Sequence, residues 1–434
     1  MASNSSPSTS SPTSGRRRAA VLVTGEELLR GAVADVNGSA LAASLTDLGL
    51  VVTAMRVVGD GAEAIADELA RLAGEGNVVI AVSGGLGGTH DDCTMEAVAL
   101  AGGGSLELDD EALGLSLGAY ESSMGKVSAT SRTMARKQAL MPRGATMLPP
   151  VGTAPGCIVP VGDALVCVLP GPPWECEAMW LNARSTQPLR GVLDAAPERE
   201  AMEIRIRNAV ESEFVECFSS VPEERREGIG IGVCARDGEL EVTLRDEMGT
   251  PGRLDRIAEA LEEFFGQRLY SQDGAGPAEA LHRALSARGE TISVAESCTG
   301  GGVGALLTDV VGASNTFVGG VIAYGNSVKE TLLGVPGAVL DAHGAVSEET
   351  AEAMAEGARR LTGSDWGVAV TGIAGPGGGT AEKPVGTVWI SVSGERTGAT
   401  QRLDLRSGRD RVRRRAALAA IHLSRETIEA EPAL

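Results

Sequence analysis

Two glycine-rich loops, each placed after a short apolar run, constrain the fold of this chain most strongly. The first reads AESCTGG at residues 295–301, after the apolar run 291–294 and before a helical pattern. The second reads TGIAGPGGG at residues 371–379, after the apolar run 366–370. The first N–H groups of a helix have no partner within it, and glycines let a ligand approach them. Two such loops predict a small anionic substrate bound at one edge of a parallel sheet.

The acidity of the chain narrows the range of partners. Its 434 residues carry a formal net charge of -20. Because DNA affinity depends on Lys and Arg neutralising phosphates, we expect no direct contact with nucleic acid. A local basic cluster at residues 411–415 is typical of a solvated helix face. No apolar run approaches the length of a transmembrane helix, so we expect no membrane partner.

Cysteine and histidine usage indicates the compartment. The seven cysteines are odd in number and show no metal-ligand spacing, and the four histidines form no cluster. This pattern predicts a reduced, cytoplasmic protein with mostly buried thiols and no histidine-based zinc site. The first 18 residues are rich in Ser, Pro and Thr and end in three arginines, which predicts a disordered tail.

Alternating apolar strands and helical periods predict the α/β class. We expect two three-layer α/β domains with mostly parallel sheets, joined by a small α+β module. The predicted divisions are a disordered tail at 1–18, a first α/β domain at 19–190, the middle module at 191–270 and a second α/β domain at 271–434. Within the first domain, the pattern predicts a mostly helical segment over residues 27–48 and a strand buried on both faces over residues 77–83. The polar, Gly- and Pro-containing segment 271–277 predicts a linker.

Taken together, these segments resemble the competence/damage-inducible CinA family over nearly the whole chain. The matches in the second α/β domain are AESCTGG at 295–301, GAS at 312–314, GAVS at 344–347, TGIAGP at 371–376 and KPVGTV at 383–388. The C-terminal domain of that family is similar to nicotinamide mononucleotide deamidase. The resemblance therefore implies hydrolysis of the nicotinamide carboxamide to nicotinate mononucleotide and ammonia, in pyridine nucleotide salvage. It also implies that this reaction needs no cofactor and that the protein is a homodimer.

The resemblance also implies catalytic residues in the C-terminal domain. Carried over to this chain, Ser314 is the nucleophile and Lys329 its base, with Tyr324 nearby. Lysine acts as a base only if its pKa falls from about 10.4 towards neutrality, through burial or a nearby positive charge. Arg409 either supplies that charge or binds the substrate phosphate.

Alternatives to this assignment remain open at the level of the sequence. Without the resemblance, Ser314 is typical of a turn cap and Lys329 of a solvated surface charge. Ser297 and Cys298 are rival nucleophiles, and Cys298 would be the stronger one if a helix N-terminus lowered its pKa. The predicted substrate-binding residues cap the helix, hold the ribose or phosphate, surround the amide or donate N–H groups: Ser297, Thr299, Gly300, Gly301, Thr371, Gly372, Gly375 and Arg409.

The first α/β domain resembles the molybdopterin-binding fold of molybdenum cofactor biosynthesis proteins. Its matches are GEELL at 25–29, GGLG at 84–87 and VGTAPG at 151–156, with single residues between them. Some family members hydrolyse ADP-ribose here with a divalent metal. The resemblance implies an N-terminal site formed by Glu26, Asn37, Gly84, Gly85, Thr89, Asp91 and Asp92. In that site Glu26, Asp91 and Asp92 would hold Mg²⁺, whereas the alternative is that the aspartates cap a helix.

Three departures weaken the expectation of an active N-terminal site. The family usually has Asp where this chain has Glu26, Pro where it has Gly88, and Asn where it has Pro150. We therefore expect weak or absent ADP-ribose hydrolysis. Two further interpretations of the whole chain are a pterin- or nucleotide-binding module without catalysis and an interaction protein in competence or recombination. The joint presence of Ser314, Tyr324 and Lys329 favours the amidohydrolase.

Overall fold

The structure is a computed structural model that describes residues 17–194, 200–250 and 252–432. The predicted disordered tail therefore lies, up to residue 16, outside the described residues. The chain forms two compact units, residues 1–198 and 199–434. The division lies close to the boundary predicted near residue 190, whereas the boundary predicted at 271 falls within the second unit.

The first unit alternates strands and helices along most of its length. Its strands are β1 (Arg18–Thr24), β2 (Val51–Val58), β3 (Asn77–Ser83), β4 (Leu106–Leu108), β5 (Leu140–Pro142), β6 (Thr146–Leu148), β7 (Gly156–Val161) and β8 (Ala164–Leu169). Its helices are α1 (Glu26–Leu29), α2 (Asn37–Asp47), α3 (Ala62–Gly74), α4 (Thr94–Ala101), α5 (Asp110–Met124), α6 (Ala129–Gln138), α7 (Pro173–Arg184) and α8 (Leu189–Leu193).

The sheet of the first unit is buried on both faces. Its six strands run in the order β2-β1-β3-β8-β7-β6. Strands β2, β1, β3 and β8 pair in parallel, whereas the pairs β8-β7 and β7-β6 are antiparallel. Along β3, Ile80 and Val82 pack into one apolar cluster, and Val79 and Ala81 into another on the opposite face. Because successive side chains alternate between faces, helices on both sides require the uninterrupted apolar run that the sequence shows.

The second unit contains the middle module and the second α/β domain. Its strands are β9 (Ala201–Arg207), β10 (Ile229–Arg236), β11 (Glu239–Asp246), β12 (Leu269–Ser271), β13 (Ile292–Glu296), β14 (Phe317–Ile322), β15 (Trp366–Gly372), β16 (Thr387–Ser393) and β17 (Gly398–Asp404). Its α-helices are α9 (Glu211–Ser220), α10 (Glu223–Arg226), α11 (Arg253–Phe265), α12 (Pro277–Arg288), α13 (Gly302–Thr308), α14 (Asn326–Thr331), α15 (Gly337–His343), α16 (Glu348–Thr362) and α17 (Arg409–Ala430). Short 3₁₀ turns occur at Gly266–Arg268 and Ala313–Asn315.

Two sheets organise the second unit. The middle module has an antiparallel sheet in the order β10-β11-β9-β12, with α9 and α11 on its apolar face. The second α/β domain has the order β14-β13-β15-β16-β17. Strands β14, β13 and β15 pair in parallel, whereas the pairs β15-β16 and β16-β17 are antiparallel. Val294 and Ala295 enter different apolar clusters on opposite faces of this sheet, so the domain has three layers.

One local expectation is wrong in detail. The helix predicted over residues 27–48 is interrupted between α1 and α2, where Gly31 adopts φ 68, a left-handed conformation that ends the first helix. The segment predicted as a linker, 271–277, joins β12 to α12, and within it the Asp273 carboxylate accepts hydrogen bonds from Arg283 and the Ser271 hydroxyl. These bonds lower the pKa of Asp273 to about 2, and the bond from Arg283 contributes most.

None of the helices in the described ranges is both long enough and apolar enough to span a membrane.

Candidate functional site

The parallel strands of the second α/β domain end around one cavity. Because β13, β14 and β15 run in the same direction, the residues that follow them meet at one edge of the sheet. The cavity measures about 220 Å³. Its lining comprises Ser297, Cys298, Tyr324, Lys329, Ala345, Val346, Thr371, Gly372, Ala374 and Arg409.

Lys329 is buried in this cavity without a carboxylate partner. Its side chain lies on the short helix α14, and the residue is 1% exposed. Nζ lies 2.7 Å from the carbonyl oxygen of Ala323, 3.3 Å from that of Tyr324 and 3.3 Å from Oγ of Ser297. Among the described residues, no carboxylate lies within ion-pair distance of Nζ. Burial therefore lowers the pKa of Lys329, because it penalises the charged form.

Lys329 Nζ lies within donating distance of all three oxygens, which an ammonium group would meet with its three N–H groups. The deprotonated amine, which burial favours, keeps two N–H groups for the carbonyls of Ala323 and Tyr324 and has a lone pair for the Ser297 hydroxyl. In that form Lys329 can accept the hydroxyl proton. Ser297 and Lys329 thus have the arrangement of a nucleophile and its base.

Cys298 lies beside Ser297 but is held in its unreactive form. The residue is 5% exposed, and burial raises the pKa of its thiol to about 11. Because the thiolate is the nucleophilic form, Cys298 is mostly a neutral thiol near pH 7. Burial therefore argues against Cys298 as the stronger rival to Ser297, because it raises the pKa of the thiol instead of lowering it.

The structure does not bring Ser314 to Lys329. Ser314 is exposed in the 3₁₀ turn Ala313–Asn315, just before β14 begins. Phe317, the first residue of β14, pairs with Ile292 at the start of β13, whereas Ser297 follows the end of β13. At about 3.3 Å per residue, the length of the strand separates the two serines by about 15 Å. The assignment of Ser314 as the nucleophile of Lys329 is corrected on this geometry.

The first turn of α13 is occupied by a carboxylate of the chain itself. The N–H groups of Gly301, Val303 and Gly304 donate to the Glu296 carboxylate, at 2.9, 3.1 and 2.8 Å. Glu296 is 1% exposed. The expectation that Ser297 and Thr299 cap this helix, and that its N–H groups hold the substrate phosphate, is therefore corrected.

The remaining residues of the first loop shape the backbone. Gly300 and Gly301 have φ of 60 and 96, conformations that a side chain would strain. Thr299 is 1% exposed, its hydroxyl has no partner among the described residues, and its carbonyl accepts a 2.8 Å bond from Arg413. These three predicted substrate-binding residues do not line the cavity.

The second loop contributes a wall and an anchor. Thr371 and Gly372 line the cavity, and the Thr371 hydroxyl donates to the carbonyl of Ala345 at 2.6 Å. Gly375 does not line it, but its carbonyl accepts a 2.7 Å bond from Arg409. Tyr324 is 63% exposed at the rim and contributes both its side chain and its carbonyl.

Three cations that have no carboxylate partner among the described residues bind the loops near the cavity, and one of them, Arg409, lines it. Arg409, Arg413 and Lys383 each donate to a backbone carbonyl, of Gly375, Thr299 and His343 respectively. In the described part of the chain, none of the three lies within ion-pair distance of an acidic side chain. In a protein of net charge -20, this arrangement favours an anionic ligand.

The predicted N-terminal residues lie at the end of β3, and most of their polar groups are already bonded. Asn37 donates to the Ser83 hydroxyl at 2.8 Å and to the Gly171 carbonyl at 2.7 Å. The Thr89 hydroxyl contacts both Asp91 and Asp92, and Asp92 also accepts the Thr89 N–H at 2.9 Å. The hydrogen bond from the Thr89 hydroxyl contributes most to lowering the pKa of Asp91.

The glycines and Glu26 of that site are placed by backbone geometry. Gly84 and Gly85 have φ of 109 and 66, and a Cβ on Gly84 would lie 2.5 Å from the Thr24 carbonyl oxygen. Glu26 lies 3.6 Å from Arg30, and its N–H donates to Asp60. Within the described ranges, no three His, Cys, Asp or Glu side chains gather to hold a metal. A metal bound by Glu26, Asp91 and Asp92 stays a prediction, without support from a preformed cluster.

Glu296 and Arg413 were missed as members of the site. Glu296 lies inside the AESCTGG motif but received no role, and Arg413 was interpreted as part of a solvated face. A signal for Glu296 was present, because a carboxylate ending a buried strand needs partners. No signal distinguishes Arg413 from the basic residues around it, because its partner is a backbone carbonyl distant in sequence.

The fold and the cavity define a multidomain α/β protein with a Ser–Lys pair at the carboxyl edge of a parallel sheet. The sequence matches the CinA C-terminal domain over residues 275–428 and a probable molybdopterin-binding domain over residues 20–186. Similar curated proteins are named CinA-like. That of Mycolicibacterium paratuberculosis is 40% identical over 430 residues, which cover 95% of this chain and 98% of the relative. That of Mycobacterium tuberculosis (strain H37Rv) is 40% identical over 428 residues, covering 96% and 98%. The chain belongs to the CinA family.

Two solved structures similar to this chain each cover about a third of it. A competence/damage inducible protein from Agrobacterium tumefaciens has 38% sequence identity and a TM-score of 0.32, covering 36% of this chain and 93% of that one. A competence-damaged protein superfamily member from Klebsiella pneumoniae has 32% identity and a TM-score of 0.35, covering 36% and 97%.

Proposed function

We propose that this protein hydrolyses the carboxamide of nicotinamide mononucleotide, giving nicotinate mononucleotide and ammonia. The observation that carries the proposal is the 3.3 Å contact between Ser297 Oγ and Nζ of the buried, unpaired Lys329. Amide hydrolysis requires a nucleophile, a base and a site for the oxyanion. Membership of the CinA family supports the same reaction class.

The reaction proceeds in two steps. Ser297 Oγ attacks the carboxamide carbon while Lys329 Nζ takes the hydroxyl proton, and the C–N bond then breaks as Lys329 returns that proton to the leaving ammonia. Water next attacks the Ser297 ester as Lys329 accepts a proton from it, and Lys329 returns that proton to Ser297 Oγ when the ester bond breaks. The released acid then ionises to the carboxylate. The N–H group of Cys298, a residue that lines the cavity, donates to no oxygen among the described residues, which makes it the proposed donor to the oxyanion.

Substrate recognition divides between an apolar wall and a cation. Ala345, Val346 and Ala374 offer an apolar surface for the pyridine ring. Arg409 lines the same cavity without a carboxylate partner, so it is the proposed ligand of the phosphate. Of the two roles predicted for Arg409, phosphate binding has the better support, because burial is the leading cause of the lowered Lys329 pKa.

The test is ammonia release from nicotinamide mononucleotide by the purified full-length chain, with and without EDTA. We expect activity in both conditions, because Ser297 and Lys329 supply the nucleophile and the base. Nicotinamide riboside should be a poorer substrate, since it lacks the phosphate. Absence of ammonia release from either compound would refute the deamidase proposal, and equal rates would refute the role of the phosphate.

For the N-terminal domain we propose nucleotide or pterin binding with weak or absent ADP-ribose hydrolysis. The internal bonds of Asn37, Thr89 and Asp92 support this view, as do the three departures from the family pattern. Mg²⁺ binding there, a homodimer and a cytoplasmic location remain predictions from the sequence. An interaction role in competence or recombination has no specific observation in its favour.

A further inference from the structure

Glu296 is a buried charge whose partners are backbone N–H groups. Its carboxylate accepts three of them, from Gly301, Val303 and Gly304, and no Lys or Arg of the described residues lies within ion-pair distance. An ionised carboxylate is stable in a buried place only when donors of this kind surround it. The loop therefore contains its own anion, held by the N–H groups that a ligand would otherwise meet.

The carboxylate closes a ring around the proposed nucleophile. Glu296 directly precedes Ser297, and its side chain reaches forward to the N–H of Gly301. The backbone of Ser297, together with that of residues 298–300, is thereby fixed at both ends. The turn is further closed by the N–H of Gly300, which donates to the Ser297 carbonyl at 3.1 Å.

The main chain of Glu296 also connects the nucleophile with its base. The Glu296 carbonyl accepts a 2.7 Å hydrogen bond from the N–H of Ala323. The carbonyl of Ala323 in turn accepts a 2.7 Å hydrogen bond from Lys329 Nζ. A displacement of Glu296 would therefore change the position of Ser297 and of Lys329 together.

We propose that Glu296 is a positioning residue of the deamidase site: it occupies the first N–H groups of α13, fixes the turn that carries Ser297, and leaves the N–H group of Cys298 for the substrate. The inference rests on the proposed function and deepens it. It also assigns the substrate's anionic group to the Arg409 side of the cavity, because the N–H groups of α13 are already taken.

A second buried carboxylate of the chain, with a structural role only, serves as a matched control for Glu296. Asp246, at the end of β11, is 0% exposed and accepts the N–H groups of Met248, Gly249 and Thr250 at 2.8, 3.1 and 2.6 Å. It therefore shares the burial and the three backbone donors of Glu296, but it also lies 4.0 Å from Arg253 and belongs to the middle module instead of the loop that carries Ser297. Loss of stability alone should appear in both variants, and loss of positioning in only one.

The experiment compares Glu296→Gln, Glu296→Ala and Asp246→Ala in the full-length chain. Glutamine keeps the shape but replaces one acceptor oxygen by a donor, so α13 can no longer be fully bonded. We expect kcat for both Glu296 variants to fall by about 10²-fold with KM nearly unchanged, because a misplaced nucleophile is costly to rate. Formate should restore part of the kcat of Glu296→Ala, where the carboxylate site is vacated, and not that of Glu296→Gln. Asp246→Ala should lower Tm, keep its kcat and show no response to formate.

Two readouts keep this inference distinct from the proposed function. The first is ammonia release, and the second is the rate at which a fluorophosphonate probe labels Ser297, followed by intact mass. If the wild type releases no ammonia, the proposed function fails, and the labelling rates of the same variants still judge the inference. Unchanged kcat and labelling in a folded Glu296→Gln would overturn it. The inference would also be overturned if the fall in kcat and labelling of Glu296→Ala matched its fall in Tm, as for Asp246→Ala, and formate did not restore either rate. If Glu296→Ala does not fold, the kcat and labelling rate of Glu296→Gln alone decide the outcome.

Discussion

The two glycine-rich loops that follow β3 and β13 use carboxylates in different ways. In the N-terminal loop, Asp91 and Asp92 are exposed or half-buried and bind the Thr89 hydroxyl of the same loop. In the C-terminal loop, Glu296 is buried and binds the start of the next helix, while Ser297 faces Lys329. The buried carboxylate of Glu296 leaves the reactive groups of the C-terminal loop free. In the N-terminal loop the acidic side chains are themselves hydrogen-bonded to Thr89.

The difference indicates where chemistry is expected. The C-terminal loop brings Ser297, the proposed nucleophile, to Lys329, the proposed base, whose pKa burial lowers. The N-terminal loop has oxygen donors of the kind that Mg²⁺ prefers, but its carboxylates do not assemble into a cluster among the described residues. Similar positions after buried strands therefore do not imply equally prepared sites.

The largest expected effect tests the nucleophile of the C-terminal loop. Ser297→Ala should lower kcat by on the order of 10⁴-fold or more, as loss of a nucleophile does in other hydrolases. Ser314→Ala should stay near the wild-type rate, because Ser314 lies at the other end of the strand. Ammonia release measures both, and Cys298→Ala is the control for the neighbouring thiol. A large loss in Ser314→Ala together with an active Ser297→Ala would reverse the assignment.

Lys329 should set the pH dependence of the reaction. Only the deprotonated amine accepts a proton, so kcat/KM should rise with pH and level off below the ordinary lysine pKa of about 10.4, because burial lowers the pKa of Lys329. Lys329→Met should remove this limb and lower kcat by about 10³-fold. A profile that stays flat in the wild type, or that persists in Lys329→Met, would argue against Lys329 as the base.

Lys329→Met should also change stability, and it should raise stability although it lowers activity. A lysine whose pKa is lower in the folded than in the unfolded state binds fewer protons when folded, so the penalty is greatest below the folded pKa and disappears above the unfolded one. Lys329→Met should therefore raise Tm near neutral pH, and the gain should shrink in alkaline buffer. Thermal unfolding across this range measures it, and a lower Tm would contradict a buried, unpaired charge.

A smaller effect is expected at the rim of the same cavity. Arg409→Ala should raise KM for nicotinamide mononucleotide by about 10- to 100-fold, the usual range for a lost hydrogen bond to a charged group. Its effect on nicotinamide riboside should be slight. Arg411→Ala is the matched control, because Arg411 is exposed on the same helix and does not line the cavity. Equal losses for both substrates would show that Arg409 acts through the Gly375 loop instead.

The smallest expected signal comes from the N-terminal loop. The Ser297→Ala chain, incubated with ADP-ribose and Mg²⁺, Mn²⁺ or Co²⁺, should release AMP at or near background. Glu26 carries its carboxylate one methylene further out than the usual Asp, and small displacements are costly in a positioned site. Asp92→Ala in the same background is the control. Robust AMP release that disappears in that double variant would show that the N-terminal loop is catalytic after all.

Much of the fold follows from local patterns in the sequence. The strand at residues 77–83 is predicted from its apolar run, since a strand covered on both faces needs no polar alternation. The interruption after α1 was missed because Gly31 is compatible with a helix in sequence terms, and only its left-handed φ ends the helix.

The sequence by itself determined the α/β class, the two loops and the residue types at the site. Which serine meets Lys329 was decided by the tertiary structure, because parallel pairing of β13 and β14 places Ser297 and Ser314 at opposite ends of the sheet. The state of Lys329 and Cys298 was decided in the same way, since burial lowers the pKa of the amine and raises that of the thiol. Burial and strand register depend on residues far apart in the chain, and no local pattern contains them.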